Sequence, residues 1–295
     1  MNKINVVDNI TSSIVKYLRT KIKDDIISIF GIGSYFDKKL PSDWANTDID
    51  VVVIVFNLDK ITKLNWTDVR YEVKKFDNHN VWIGYNTIQG LKNKEIFVKE
   101  SFANYEWSLM DLKFKENSQL LYGKDIRQQI PDPLNFDLDF NDILARCLYH
   151  LDKSLKESKI RVDSAQAMTE FTKVVFKFGF YLCLFFSKKY YLTSVHSVSL
   201  QLDELLLDKD ISNSMLSFMN ESTNYRRTNK FSKKFEVLRK NFVLFTLSLL
   251  RSGILHKKYE FQELLIFLNN KFNGMPYLIS YLKKAKNVFY STKKN

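Results

Sequence analysis

The chain has 295 residues, 45% of them apolar and 26% charged, with a formal charge of +12. That length allows two domains, and the composition excludes a disordered or collagen-like chain. With only four prolines and eight glycines, long flexible linkers are excluded too, and helix is favoured.

The positive balance suits polyanions: nucleic acid, a membrane surface or nucleotide phosphates. Lysine is spread along the whole chain, so charge alone does not choose among them. Cys147 and Cys183 lie in apolar helical patterns without CxxC spacing. No disulfide framework or zinc site is expected from them, and a reducing cytoplasm is the simplest setting. Met1 to Asn9 is mostly polar and carries no apolar signal core. Val174–Phe186 and Phe242–Leu250 are apolar, but shorter than the roughly 20 residues that span a bilayer, and are expected as buried helices.

In chain order, Ile10, Ile14, Leu18 and Ile22 predict a helix over 8–23, with Asp8 as a candidate N-cap. Ile26–Ile32 is short, β-branched and glycine-containing, which predicts a buried strand. A polar loop follows, then Ile49–Phe56 (IDVVVIVF), apolar on both faces and expected at the centre of a covered sheet. A short helix over Thr67–Phe76, a strand over Val81–Ile88 and helical spacing over Phe102–Tyr122 are expected next. Strand-like runs largely stop near Pro131-Asp132-Pro133. Beyond it, Phe140–Leu155, Ser164–Phe186, Val195–Leu207, Lys234–Leu250, Phe261–Phe272 and Tyr277–Phe289 have helical periodicity. The expected class is α+β: a mixed sheet with flanking helices in residues 1–130, then an all-α helical bundle in 131–295.

The chemistry concentrates between the first two strands. Gly33-Ser34 leaves one strand, thirteen residues follow, and Asp48-Ile49-Asp50 opens the next. Residues two apart on a strand share a face, so Asp48 and Asp50 project side by side. Two adjacent carboxylates repel and resist desolvation. A hard divalent cation shared with substrate phosphates relieves both costs. Glycine at the turn lets backbone N–H groups approach a phosphate, and the Ser34 hydroxyl can donate as well.

The stretch GSYFDKKLPSDWANTDIDVVVIV resembles the signature of the polymerase-β-like nucleotidyltransferase superfamily, a Gly-[Gly/Ser] turn followed by Asp-hydrophobic-[Asp/Glu]-hydrophobic. Ser118–Asp125 (SQLLYGKD) is similar to a segment that follows the catalytic sheet in the antibiotic-modifying (aminoglycoside and lincosamide) members. The resemblance covers about 125 residues. It implies transfer of a nucleoside monophosphate from a nucleoside triphosphate, with ATP expected, to an acceptor hydroxyl, with release of pyrophosphate. Asp48 and Asp50 would hold Mg²⁺, and Gly33 and Ser34 would bind the triphosphate. The acceptor, expected between the two domains, would be an aminoglycoside-like small molecule, with a tRNA end or a protein hydroxyl as alternatives. An aminoglycoside is polycationic, which sits poorly with +12 unless acids line its pocket.

The sequence departs from the superfamily in one respect. Members supply a third carboxylate from a later strand, and Val81–Ile88 contains none. Glu106, with Glu100 as alternative, is the expected substitute, ahead of Glu95 and Asp111. The gap also admits a nucleotide-binding module without turnover, regulatory or part of a toxin–antitoxin pair. Further on, Lys173 and Lys177 lie one helical turn apart and could meet the triphosphate, or could flank an apolar stripe. Arg226, Arg227, Lys230, Lys233 and Lys234 form the densest basic cluster. Arg251 and His256 fit an R-x4-H pattern that resembles the nuclease motif of HEPN domains. Arg146 and His150 are expected to be structural. A homodimer is compatible with all of this.

Overall fold

The computed structural model describes residues 3–45, 48–59, 61, 71–101, 103–132, 135, 138–187, 195–204, 209–255, 258–272 and 274–286. The chain divides into two compact units, Met1–Leu138 with Leu192–Ser197, and Asp139–Tyr191 with Val198–Asn295.

The first unit is α+β. Helix α1 (Lys3–Ile22) begins ahead of Asp8, which lies within it rather than at its cap. Its stripe of Ile10, Ile14, Leu18 and Ile22 is buried, at the spacing of one helix face. Strands β1 (Ile26–Ile32), β2 (Asp48–Val55), β3 (Tyr71–Phe76), β4 (His79–Thr87) and β5 (Ser118–Gly123) form a mixed sheet in the order β3-β4-β2-β1-β5. Among the described strands β2 and β4 run parallel, and the other neighbouring pairs are antiparallel. One face packs Ile49, Val51, Val53, Val81 and Ile83 against α1. The other packs Phe30 and Ile54 with Leu91, Phe97, Tyr105 and Leu109 from α2 (Ile88–Lys92), α3 (Lys94–Glu100) and α4 (Tyr105–Lys113).

Two expectations are corrected here. Tyr71–Phe76 is a strand, not the end of a helix over Thr67–Phe76; residues 67–70 lie outside the described set. Asp77 and Asn78 both have positive φ, +40° and +67°, the backbone of the tight hairpin turn that Asp and Asn favour. That turn folds β3 back onto β4. Helical spacing over Phe102–Tyr122 likewise holds only for α4; from Ser118 the chain extends as β5 and pairs with β1.

The second unit is all-α: α5 (Phe140–Glu157), α6 (Ala165–Ser187), α7 (Val195–Glu204, in this unit from Val198), α8 (Lys209–Thr228), α9 (Phe235–Ser252), α10 (Phe261–Asn270) and α11 (Pro276–Lys284). Helix α8 was not expected. Its mixed polar surface hides a buried row of Ile211, Met215, Phe218 and Met219. Rings fill the core: Phe242 meets Phe171, Phe178 and Phe218 edge-on, with centroids 5.2–5.8 Å apart, the geometry aromatic quadrupoles prefer. No described helix is long and apolar enough to cross a membrane.

Candidate functional site

The end of β1 and the start of β2 are neighbours, because the antiparallel register pairs Ile32 with Asp50. The next residue, Gly33, has φ +77°, and its carbonyl accepts from the Phe36 N–H at 3.2 Å, closing a tight turn. A β-carbon on Gly33 would stand 3.3 Å from Asp50 Oδ2. The backbone conformation favours glycine, and any side chain there would press on the Asp50 carboxylate. Gly31 is equally constrained, since a β-carbon there would lie 2.3 Å from the Phe36 ring.

Asp48 and Asp50 are half-buried and alternate with the buried Ile49 and Val51, so both carboxylates project from the face opposite α1. Further along β2, Val52 and Ile54 on that face pack toward the α2–α4 cluster. Beside the Asp pair lie residues of β4 and β3 instead. The parallel register sets Asn80 next to Asp48 and Trp82 next to Asp50. Trp82 is 37% exposed and packs on Tyr71 with centroids 5.6 Å apart. Burial pushes the Tyr71 hydroxyl above its ordinary pKa, and the charges of Asp50 and Asp48 push it further. Tyr71 and Trp82 are site neighbours that the sequence reading missed. Two-residue alternation puts Asn80 and Trp82 on one face, but only the register brings that face to the Asp pair.

Glu100 and Glu106, the acids first expected to complete the set, are engaged elsewhere. Glu100 accepts the Thr87 N–H at 2.9 Å and the Thr87 hydroxyl at 2.7 Å, bracing the start of α2. It comes so close to Gly90 that a β-carbon there would collide with it. Glu106 is buried on α4 and paired with Lys94. Glu95 lies exposed in the first turn of α3. Among the described residues no three His, Cys, Asp or Glu side chains converge as a metal cluster would. Among the described residues the carboxylates that share this strand face are Asp48 and Asp50, and Asp68 lies outside the described set. Two carboxylates fit a single Mg²⁺ whose other ligands are water and phosphate oxygens, the usual arrangement for that ion.

Ser34 opens on a small cavity with Gly33, Asp37, Glu116 and Asn117. Burial raises the Asp37 carboxyl above the usual range, against the Lys39 N–H and the charges of Lys39 and His196.

In the second unit, Lys173 Nζ lies 3.9 Å from Glu170 Oε1 on the same helix. Lys177, also on α6, acts on Cys147 and His150 through its charge. His150 Nδ1 is 2.7 Å from Glu170 Oε2. Burial, then the charge of Lys177, lowers the imidazole to about 4, so a neutral ring donates to the carboxylate. Arg146 pairs with Asp142 at 3.2 Å and lies over the Phe272 ring. The basic cluster at 226–234 is not one solvated face, because Arg226 is buried on α8. Arg251 lies in the last turn of α9, and His256 lies outside the described residues.

No protein-family model matches the chain, and no curated protein matches it either. Solved structures align with it, among them the following two. One is spectinomycin adenyltransferase AAD(9) from Enterococcus faecialis with ATP and spectinomycin, at 12% identity and a TM-score of 0.43, over 78% of this chain and 95% of that one. The other is a nucleotidyltransferase-like protein from Exiguobacterium sibiricum 255-15, at 12% identity and a TM-score of 0.28, over 94% of this chain and 91% of that one. Likeness at this level says nothing of function, which has to be read from the chain's own residues.

Proposed function

We propose that this chain is a Mg²⁺-dependent nucleotidyltransferase that moves a nucleoside monophosphate from a nucleoside triphosphate, ATP by preference, to an acceptor hydroxyl. The observation that carries the reading is the approach of Gly33 to Asp50. It sets a turn suited to phosphate within a residue's width of two carboxylates suited to a hard cation. We assign this chemistry to the N-terminal part, residues 1–130, and acceptor recognition to the helical part.

Gly33 and Ser34 bind the triphosphate through backbone N–H groups and a hydroxyl. Asp48 and Asp50 hold the Mg²⁺, which when bound neutralises charge on the phosphates. The acceptor oxygen bonds to the α-phosphorus as the bond to pyrophosphate breaks and the hydroxyl proton passes to solvent, and fixed donors at the turn favour the charge that develops. A small hydroxylated acceptor of the aminoglycoside type is the first choice, with an RNA end or a protein hydroxyl next.

A second reading is favoured by Trp82. Among the described residues an aromatic ring, and not a third carboxylate, stands beside Asp50, as would suit a protein that binds the nucleotide without transferring it. Calorimetric titration with ATP and Mg²⁺, run beside a pyrophosphate-release assay over an acceptor panel, separates the two. Binding with release on some acceptor establishes the transferase; binding without release on any leaves the module.

A further inference from the structure

A groove of about 790 Å³ runs along the opposite side of the first unit, between α1 and the sheet edge formed by β5. Lys16 and Arg19, three residues apart on α1 and so on one of its faces, line the groove, and Lys23, just past the helix end with φ +56°, lines it as well; all three are exposed. Asp24 is the acid among its lining residues. The strand wall supplies Tyr122, and the Arg19 guanidinium lies over that ring at 4.7 Å.

We infer that this groove binds single-stranded polynucleotide. Three cations lining one groove suit a phosphate backbone, which is itself a chain of anions. Arg19, its guanidinium carbon 4.7 Å from the Tyr122 ring centroid, sets a cation and an aromatic ring side by side, the two kinds of group on which bases stack. An acidic peptide would meet the same charges but would bind best by adding a strand to β5. That edge is poor for strand addition. The β1–β5 register shifts between Ile29 and Phe30, and such a bulge, with lysines close by, is how sheets discourage new partners. The inference does not depend on the nucleotidyltransfer reading, because none of these residues belongs to the Gly33–Asp50 site.

The test is fluorescence anisotropy with a labelled 12-nucleotide oligouridylate, titrated with the full chain at several salt concentrations. Three cations predict a log–log salt slope of about −2 for a single strand. Lys16→Glu/Arg19→Glu/Lys23→Glu should weaken binding at least about 10-fold and flatten the slope. A control, Lys240→Glu/Lys283→Glu/Lys284→Glu, removes the same charge from exposed positions of the second unit and should leave affinity within about twofold. The milder Arg19→Gln, whose melting is checked against the parent, should weaken binding about threefold or more. Equal losses in the groove and control variants would assign binding to net charge and overturn the inference. So would no binding at all, or equal affinity for polyglutamate or for a duplex of the same length.

Discussion

Gly33 and Asp50 face each other across the first two strands, with 3.3 Å between the Asp50 carboxylate and the place a β-carbon on Gly33 would take. Gly33→Ala should therefore do two things. Positive φ and the crowded carboxylate should cost about 1–2 kcal/mol of stability, and Mg²⁺-dependent ATP binding should weaken at least about 10-fold. Calorimetry beside a melting curve reads both. Unchanged ATP affinity in a folded Gly33→Ala chain would remove Gly33 from the site.

Asp48→Asn and Asp50→Asn should each abolish the Mg²⁺ dependence of ATP binding and lower pyrophosphate release at least about 100-fold. Stability should hold or rise slightly, because each change relieves repulsion between neighbouring carboxylates. If Mg²⁺-dependent binding persists in both variants, the metal is held elsewhere.

Gly31 tests the packing beneath the turn. Gly31→Ala places a methyl 2.3 Å from the buried Phe36 ring, and this overpacking should cost about 1–3 kcal/mol. Phe36→Leu, added to Gly31→Ala, should recover part of that loss, as urea denaturation of the single and double variants would show. Additive losses would mean that the ring is not what excludes a side chain.

The His150–Glu170 pair predicts a pH dependence. The folded imidazole, lowered to about 4, binds fewer protons than the unfolded one between pH 4 and the ordinary 6.5. Its contribution is thus fully present above pH 6.5 and is lost as pH falls toward 4. Such a shift corresponds to about 3 kcal/mol at most. The Glu170 carboxyl, which burial would raise, is held low chiefly by its hydrogen bond with His150, and it loses stability in the same direction. His150→Gln should flatten denaturation free energy between pH 4.5 and 6.5. An unaltered slope would place the titration on other groups.

Some of this was legible in the sequence because it is local. The four-residue spacing of Ile10, Ile14, Leu18 and Ile22 specifies a helix face whatever it packs on. The apolar run from Ile49 to Val55 cannot be solvated, so it reads as a central strand. Tyr71–Phe76 was misread because an edge strand is half-exposed and polar on both faces, which leaves no period to detect. Its identity comes from pairing with β4. Leu120-Leu121-Tyr122 was misread for a related reason: short apolar runs fit either structure until a partner strand is known.

The candidate site divides in the same way. By itself the sequence determined that Asp48 and Asp50 share a face and that a Gly-Ser turn precedes them, since strand alternation and glycine's backbone freedom act within a few residues. Tertiary structure alone decided what stands beside the pair. The β2–β4 register brings up Trp82 and, through β3, Tyr71, while Glu100 goes to Thr87 and Glu106 to Lys94. Register depends on contacts between residues more than thirty apart in the chain, and no local pattern encodes which of them meet.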